Sequence, residues 1–157
     1  MPDCDAIIDN RVWVGAYIRP DDVPFLCRLG ISTVISMQSD QDLRNLGISV
    51  RILQDTLARS GIRLFRIPTV DFDPRALSAT IAEAVETLEK ALEPDRARVY
   101  VHCTAGVNRG PSVVAAYLMK TLRFSALEAC AYLKNRRYCD PYLEILKEYE
   151  ILLGNTV

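Results

Sequence analysis

The sequence predicts one α/β domain over residues 1–157, with a central, largely parallel sheet flanked by helices. Three observations point there. Short β-rich runs alternate with longer helical patterns up to Val101, the last third of the chain is helical throughout, and a Cys/Gly/Arg-bearing loop joins an apolar strand directly to a helix. Composition agrees, since 50% of the 157 residues are hydrophobic and 25% charged, as in a globular domain with a sizeable core. A formal net charge of −1 supplies no global field for nucleic acid or an anionic membrane, so neither partner is expected. The five cysteines are an odd number without a CxxC pair. That argues against a disulfide framework and a zinc site, and for a reducing compartment such as the cytoplasm. No apolar run approaches the roughly 20 residues that cross a bilayer. Residues Met1 to Asp5 lack the basic and apolar regions of a signal peptide. The expected species is a monomer without metal or other cofactor.

The elements are taken in chain order. Ile7-Ile8 and Val12-Trp13-Val14-Gly15 read as two strands joined by the turn chemistry of Asp9-Asn10-Arg11, with Trp13 read as core. Arg19-Pro20-Asp21-Asp22 opens a helix whose apolar face is Val23, Leu26, Cys27 and Leu29, closed by Gly30. A strand over 31–37 comes next, then Ser39 to Leu43 as a polar loop. A helix over 50–60 carries Ile52, Leu53 and Leu57 as its buried stripe. Gly61 stops it, and Ile62 to Ile67 alternates as a half-buried strand does. The loop of Val70-Asp71-Phe72-Asp73-Pro74 leads into a helix marked by Leu77, Ile81, Val85, Leu88 and Leu92. Arg98 to Val101 is the next strand. Three helices then complete the chain: one from Pro111 onward packing through Val113, Val114, Tyr117 and Leu118, one capped by Ser125-Ala126-Leu127-Glu128, and one opened by Asp140-Pro141.

Chemistry concentrates in His102-Cys103-Thr104-Ala105-Gly106-Val107-Asn108-Arg109-Gly110, between the apolar strand and the helix. A helix N-terminus offers unpaired N–H groups and a partial positive charge, and a tight loop before it turns further N–H groups inward. Cys103 lies in the floor of such a cradle, where the field favours a thiolate, and Arg109 sits on its rim. The thiolate is positioned to attack phosphorus in line with a leaving oxygen, giving a cysteinyl-phosphate. The planar fork of Arg109 holds two equatorial oxygens, and the backbone N–H groups of Thr104, Ala105, Gly106, Val107, Asn108 and Arg109 hold the same oxygens. Gly106 gives the loop freedom to turn. His102, the one histidine in the sequence, points away from the face served by Cys103 because strand neighbours alternate, so it is not the base. A leaving alkoxide needs a proton, and Asp71 and Asp73 are the candidate donors; Asp73, beside Pro74, also suits a helix N-cap.

The motif His-Cys-x-x-Gly-x-x-Arg at His102 to Arg109 resembles the catalytic loop of the cysteine-dependent protein-tyrosine-phosphatase superfamily. The short chain, without an added segment to deepen the pocket, is similar to the dual-specificity group. That resemblance implies their fold, a phosphoric monoester hydrolase activity, and His102 orienting the loop through hydrogen bonding. It favours Asp71 as the acid, because the family carries its acid at a similar separation from the nucleophile. Gly110 departs from the Ser or Thr that usually follows the arginine and assists thiolate departure. Slower breakdown of the intermediate, or help from another hydroxyl such as Ser112, is the expectation.

Gln38 to Leu43, Asp71-Phe72-Asp73, Cys103 to Val107 and Lys134 to Pro141 also resemble segments of the plant chloroplast glucan phosphatases. The likeness covers most of the chain from Val12 to Leu146. It implies phosphorylated glucan as substrate, and admits a plastid stroma as the compartment once a targeting segment is removed. In that reading Phe72 stacks on sugar; otherwise it anchors the loop in the core. Asn108 stands where those enzymes usually carry glycine, and Asp140 where they carry a glucan-contacting aromatic. A dual-specificity phosphoprotein phosphatase is the alternative, and a weakly active phosphate-binding module is a third reading. Arg136 and Arg137 are read as a solvated pair or as contacts for an anionic substrate.

Overall fold

The computed structural model describes residues 1–154. Its strands are β1 (Cys4–Ile8), β2 (Val12–Gly15), β3 (Thr33–Ser36), β4 (Arg63–Arg66) and β5 (Val99–His102). The helices are α1 (Val23–Arg28), α2 (Asp40–Leu46), α3 (Val50–Arg59), α4 (Pro74–Ala91), α5 (Arg109–Leu122), α6 (Ala126–Lys134) and α7 (Leu143–Leu153). The sheet runs in the order β1-β2-β5-β3-β4. Among the described residues only the β1–β2 hairpin is antiparallel, so the expected α/β domain with a largely parallel sheet is what forms. Asp9 and Asn10 make the hairpin turn with φ of 45° and 58°, left-handed values that such short-side-chain polar residues tolerate.

Central β5 is buried on both faces, as a strand between two layers is. Val99, Val101 and Cys103 face one core with Ile35, Met37 and the inner sides of α4, α5, α6 and α7. Tyr100 faces a second core built from Ile18, Leu26, Val34, Leu53 and Leu57. Helix α5 is wrapped by α4, α6 and α7, and Val113, Val114, Ala115, Ala116, Leu118 and Met119 on it are all buried. The register aligns His102 with Gly15 of β2 and with Ser36 of β3, so three strands end at one level. The loop leaving β5 is therefore flanked by the exits of β2 and β3, where open α/β sheets place ligands.

Several expectations are corrected. Asp40 to Leu43 is not a loop but the start of α2: the Ser39 hydroxyl accepts from the Asp42 N–H, and the Asp42 carboxylate accepts from the Ser39 N–H. On α3, Leu53 and Leu57 are buried but Ile52 is 58% exposed, because it lies about 100° around the helix from Leu53. Cys27 is likewise exposed while Val23 and Leu26 of α1 are buried. Helix α7 begins at Leu143 after Tyr142, two residues beyond the expected Asp140-Pro141 opening, and Trp13 is only partly buried against the second core.

Candidate active site

Strand β5 delivers Cys103 into a loop that ends at the first residue of α5, Arg109. Cys103 is 2% exposed, and its Sγ receives a 3.4 Å hydrogen bond from the Gly110 N–H. The loop owes its shape to where its carbonyls go. That of Cys103 accepts from His102 Nδ1 at 2.9 Å, that of Thr104 from the Tyr17 N–H at 2.9 Å, and that of Val107 from the Asp140 N–H at 2.7 Å. The Asn108 carbonyl accepts from both the N–H and the hydroxyl of Ser112, at 3.0 and 2.7 Å. Arg137 takes the two between, with Nη2 to Ala105 O at 3.2 Å and Nε to Gly106 O at 2.8 Å. With every carbonyl from Cys103 to Asn108 turned outward and bonded, the amides are left to face the other way. Among the described residues, none of the N–H groups of Thr104 to Asn108 has a protein acceptor. A ring of unpaired amides is an anion site.

Gly106 is required twice over. Its φ is +71°, and a Cβ there would lie 2.6 Å from Arg137 Nη2 and 2.6 Å from the Gly15 carbonyl. The Asn108 side chain donates to the Asp140 carbonyl at 2.8 Å, which ties the loop to the segment before α7. Ser112 does not reach the thiol: its hydroxyl donates to Asn108 O and accepts from the Tyr142 N–H at 2.8 Å.

The Arg109 guanidinium is almost fully buried, at 1% exposure. Its Nη1 is anchored by the Asp42 carboxylate at 2.6 Å and by Thr69 O at 2.8 Å. Nη2 meets Asp71 Oδ2 at 3.1 Å and Thr104 Oγ1 at 3.4 Å, and the buried Nε–H has no partner among the described residues. Three of its five donors lie on the Nε/Nη2 side, the edge a tetrahedral oxyanion engages with two oxygens. Asp42, which the sequence reading missed, is the carboxylate that anchors Arg109. Burial opposes its charge, but Arg109 and the Ser39 N–H outweigh burial and hold its carboxyl below the usual range. The signal was present, since Ser39-Asp40-Gln41-Asp42 has the spacing of a capping box.

His102 lies on the opposite side of β5 from Cys103 and is 1% exposed. Since a carbonyl only accepts, Nδ1 carries the proton that reaches Cys103 O, and burial together with Arg109 pushes the pKa down to about 4. A neutral imidazole that orients the loop fits these contacts. Asp73 caps α4, accepting from the N–H groups of Arg75 and Ala76 at 3.0 and 3.2 Å, which leaves Asp71 as the carboxylate at the mouth of the cradle. Between them Phe72 adopts φ of 57°, uncommon for an aromatic residue, and is 81% exposed. It is not a core anchor. Arg136 stacks over Tyr132, 3.4 Å from the ring centroid, while Arg137 is buried under the loop, so the expected solvated pair divides.

Residues 12–150 match the dual specificity phosphatase catalytic domain family. This chain belongs to that family. Its members are cysteine-dependent phosphatases of the protein-tyrosine-phosphatase superfamily. It is 31% identical over 145 residues, 90% of its length, to the amyloplastic phosphoglucan phosphatase DSP4 of Castanea sativa. Over 143 residues, 88% of its length, it is 27% identical to dual specificity protein phosphatase 26 of Mus musculus. The chain spans 39% of the first relative's length and 64% of the second's. The crystal structure of PTPMT1 in complex with PI(5)P matches with a TM-score of 0.80 and 26% identity, covering 95% of this chain and 96% of that one. No helix among the described residues is long and apolar enough to cross a membrane.

Proposed function

We propose that this chain hydrolyses phosphate monoesters through a cysteinyl-phosphate on Cys103, with phosphorylated glucan as the preferred substrate. In the first step the Sγ–P bond forms as the bond from phosphorus to the leaving oxygen breaks, and Asp71 gives that oxygen its proton. In the second step Asp71 takes a proton from water, the water oxygen attacks phosphorus, and the thiolate departs as inorganic phosphate forms. The amides of Thr104 to Arg109 and the Nε/Nη2 edge of Arg109 hold the equatorial oxygens in both steps.

The observation that supports a glucan over other esters is Phe72, an aromatic ring held 81% exposed directly beside Asp71. An exposed ring at the mouth of a phosphate cradle suits the apolar face of a sugar. A groove of about 430 Å³ adjoins the loop at Val107, on the side of Arg137, and carries a second exposed ring, Tyr138, 92% exposed. Likeness to the Castanea enzyme supports the same reading. Likeness to the mouse protein phosphatase supports the alternative, a dual-specificity phosphoprotein phosphatase. Phosphate release from phosphorylated amylopectin, a phosphotyrosyl peptide and a small aryl phosphate separates the two. Amylopectin is expected to match or exceed the aryl phosphate, and Phe72→Ala to lower amylopectin turnover about tenfold while leaving the aryl phosphate unchanged. Turnover confined to the peptide and aryl phosphate would move the assignment to phosphoprotein.

Gly110 bears on the second step. A Cβ added there meets nothing closer than 3.6 Å, and its nearest neighbours are backbone atoms of His102 and Cys103. Gly110→Ser therefore fits and brings a hydroxyl to the thiolate that Ser112 cannot supply. Rapid-quench kinetics should show the wild type releasing aryl alcohol in a burst, and the variant with a smaller burst and kcat raised by roughly three- to tenfold. An unchanged burst in the variant would mean that a hydroxyl at position 110 does not assist thiolate departure, and no burst in the wild type would mean that intermediate breakdown does not limit it.

A further inference from the structure

Arg137 has no part in the chemistry just described, yet it is one of the most deeply buried charges in the protein, 5% exposed. Its guanidinium lies on the outer side of the catalytic loop. Nε and Nη2 bond the carbonyls of Gly106 and Ala105, and the remaining directions are filled by two carboxylates, Asp5 on Nη1 at 2.9 Å and Asp3 on Nη2 at 3.0 Å. Burial opposes its charge, but hydrogen bonds to Asp3 and Asp5 outweigh burial and strengthen it. The other outward carbonyls of the loop are held by backbone or local groups. Those of Ala105 and Gly106, at the turn itself, depend on this one side chain from beyond α6.

We propose that Arg137 is a positioning residue for the anion cradle, fixed in turn by Asp3 and Asp5 of the N-terminal segment. A peptide unit whose carbonyl is pulled outward presents its N–H to the opposite side. Pinning Ala105 O and Gly106 O therefore aims the amides of Gly106 and Val107 at the bound oxyanion. A fork that binds two carbonyls at once does this; an ammonium does not. A Cβ added at Gly106 would meet both Arg137 Nη2 and the Gly15 carbonyl at 2.6 Å, so that position excludes a side chain independently of its φ.

The inference rests on the loop being an oxyanion cradle, and the test reads that property without turnover. Tungstate, a non-hydrolysable tetrahedral oxyanion, is titrated calorimetrically into wild type, Arg137→Lys and Asp3→Asn/Asp5→Asn, with Arg136→Ala as control. Arg137→Lys is expected to weaken tungstate binding about tenfold or more and to lower kcat more than it raises KM on an aryl phosphate, since the turned amides serve the transition state. The double variant should lose about threefold, and Arg136→Ala should match wild type. A folded Arg137→Lys with wild-type tungstate affinity, even with a lowered Tm, overturns the proposal, because a merely structural role predicts that pattern. If Arg137→Lys does not fold, the double variant decides: Asp3 and Asp5 are 78% and 45% exposed, so it should fold, and affinity equal to wild type then overturns the idea. Tungstate binding without phosphatase activity would count against the proposed function and leave this inference standing.

Discussion

Cys103→Ser is expected to remove turnover on every substrate by a factor of about 10⁴ or more while leaving oxyanion binding close to wild type. The serine oxygen is a poor nucleophile without a base beside it, and none is placed to activate it: His102 lies across the strand with its Nδ1–H on the Cys103 carbonyl. Binding survives because the amide ring and Arg109 do not depend on sulfur. Their positions come from the outward carbonyls and from the anchors of Nη1 on Asp42 and Thr69. Initial rates and tungstate titration on the same preparation check both halves. Residual turnover within tenfold of wild type would remove Cys103 from the nucleophile's role.

Asp71→Asn should divide substrates by leaving group. An alkoxide from a sugar or a serine departs only with a proton, so loss of the acid should lower those rates by about 10²–10³. A nitrophenolate departs without help, and its rate should fall far less. The acidic limb of the bell-shaped pH profile belongs to other groups, whereas the basic limb, which reports a protonated donor, should flatten in the variant. Asp71 lies on Arg109 Nη2 at 3.1 Å, a place that a bound phosphate oxygen would take. Asp71→Asn also removes that competing carboxylate, so tungstate should bind as well as, or better than, in wild type. Equal losses for alkyl and aryl esters would mean that Asp71 orders the site rather than donating a proton.

The features legible in the sequence were local ones. His102 to Arg109 lies within eight residues, and its strand and helix flanks come from an apolar run and a helical period. Asp73 as a cap was readable for the same reason, since cap and helix adjoin. The partners that give the site its shape were not. Asp42 meets Arg109 across 67 residues and Arg137 meets Gly106 across 31, and no propensity connects such pairs. Charged residues default to solvent in a single-sequence reading, so Arg137 passed as surface and Ser39 to Leu43 as loop. Helix α2 buries only Leu43, which leaves no apolar stripe to betray it. On α3 the face of Leu53 and Leu57 was legible and Ile52 was misplaced: Ile52 is as apolar as Leu53, and only the packing partner decides which of them turns inward.

The outward bonding of the loop separates two properties that usually travel together. Thr104 to Asn108 are held on the carbonyl side by the segment after β2, by Arg137 and by the turn before α7, yet among the described residues their amides have no protein acceptor. Amide hydrogen exchange depends on the N–H bond being closed, so this ordered stretch should exchange like a frayed terminus when empty. An oxyanion in the cradle closes those amides at once. Their slowing then measures occupancy, residue by residue, in a backbone that does not need to move.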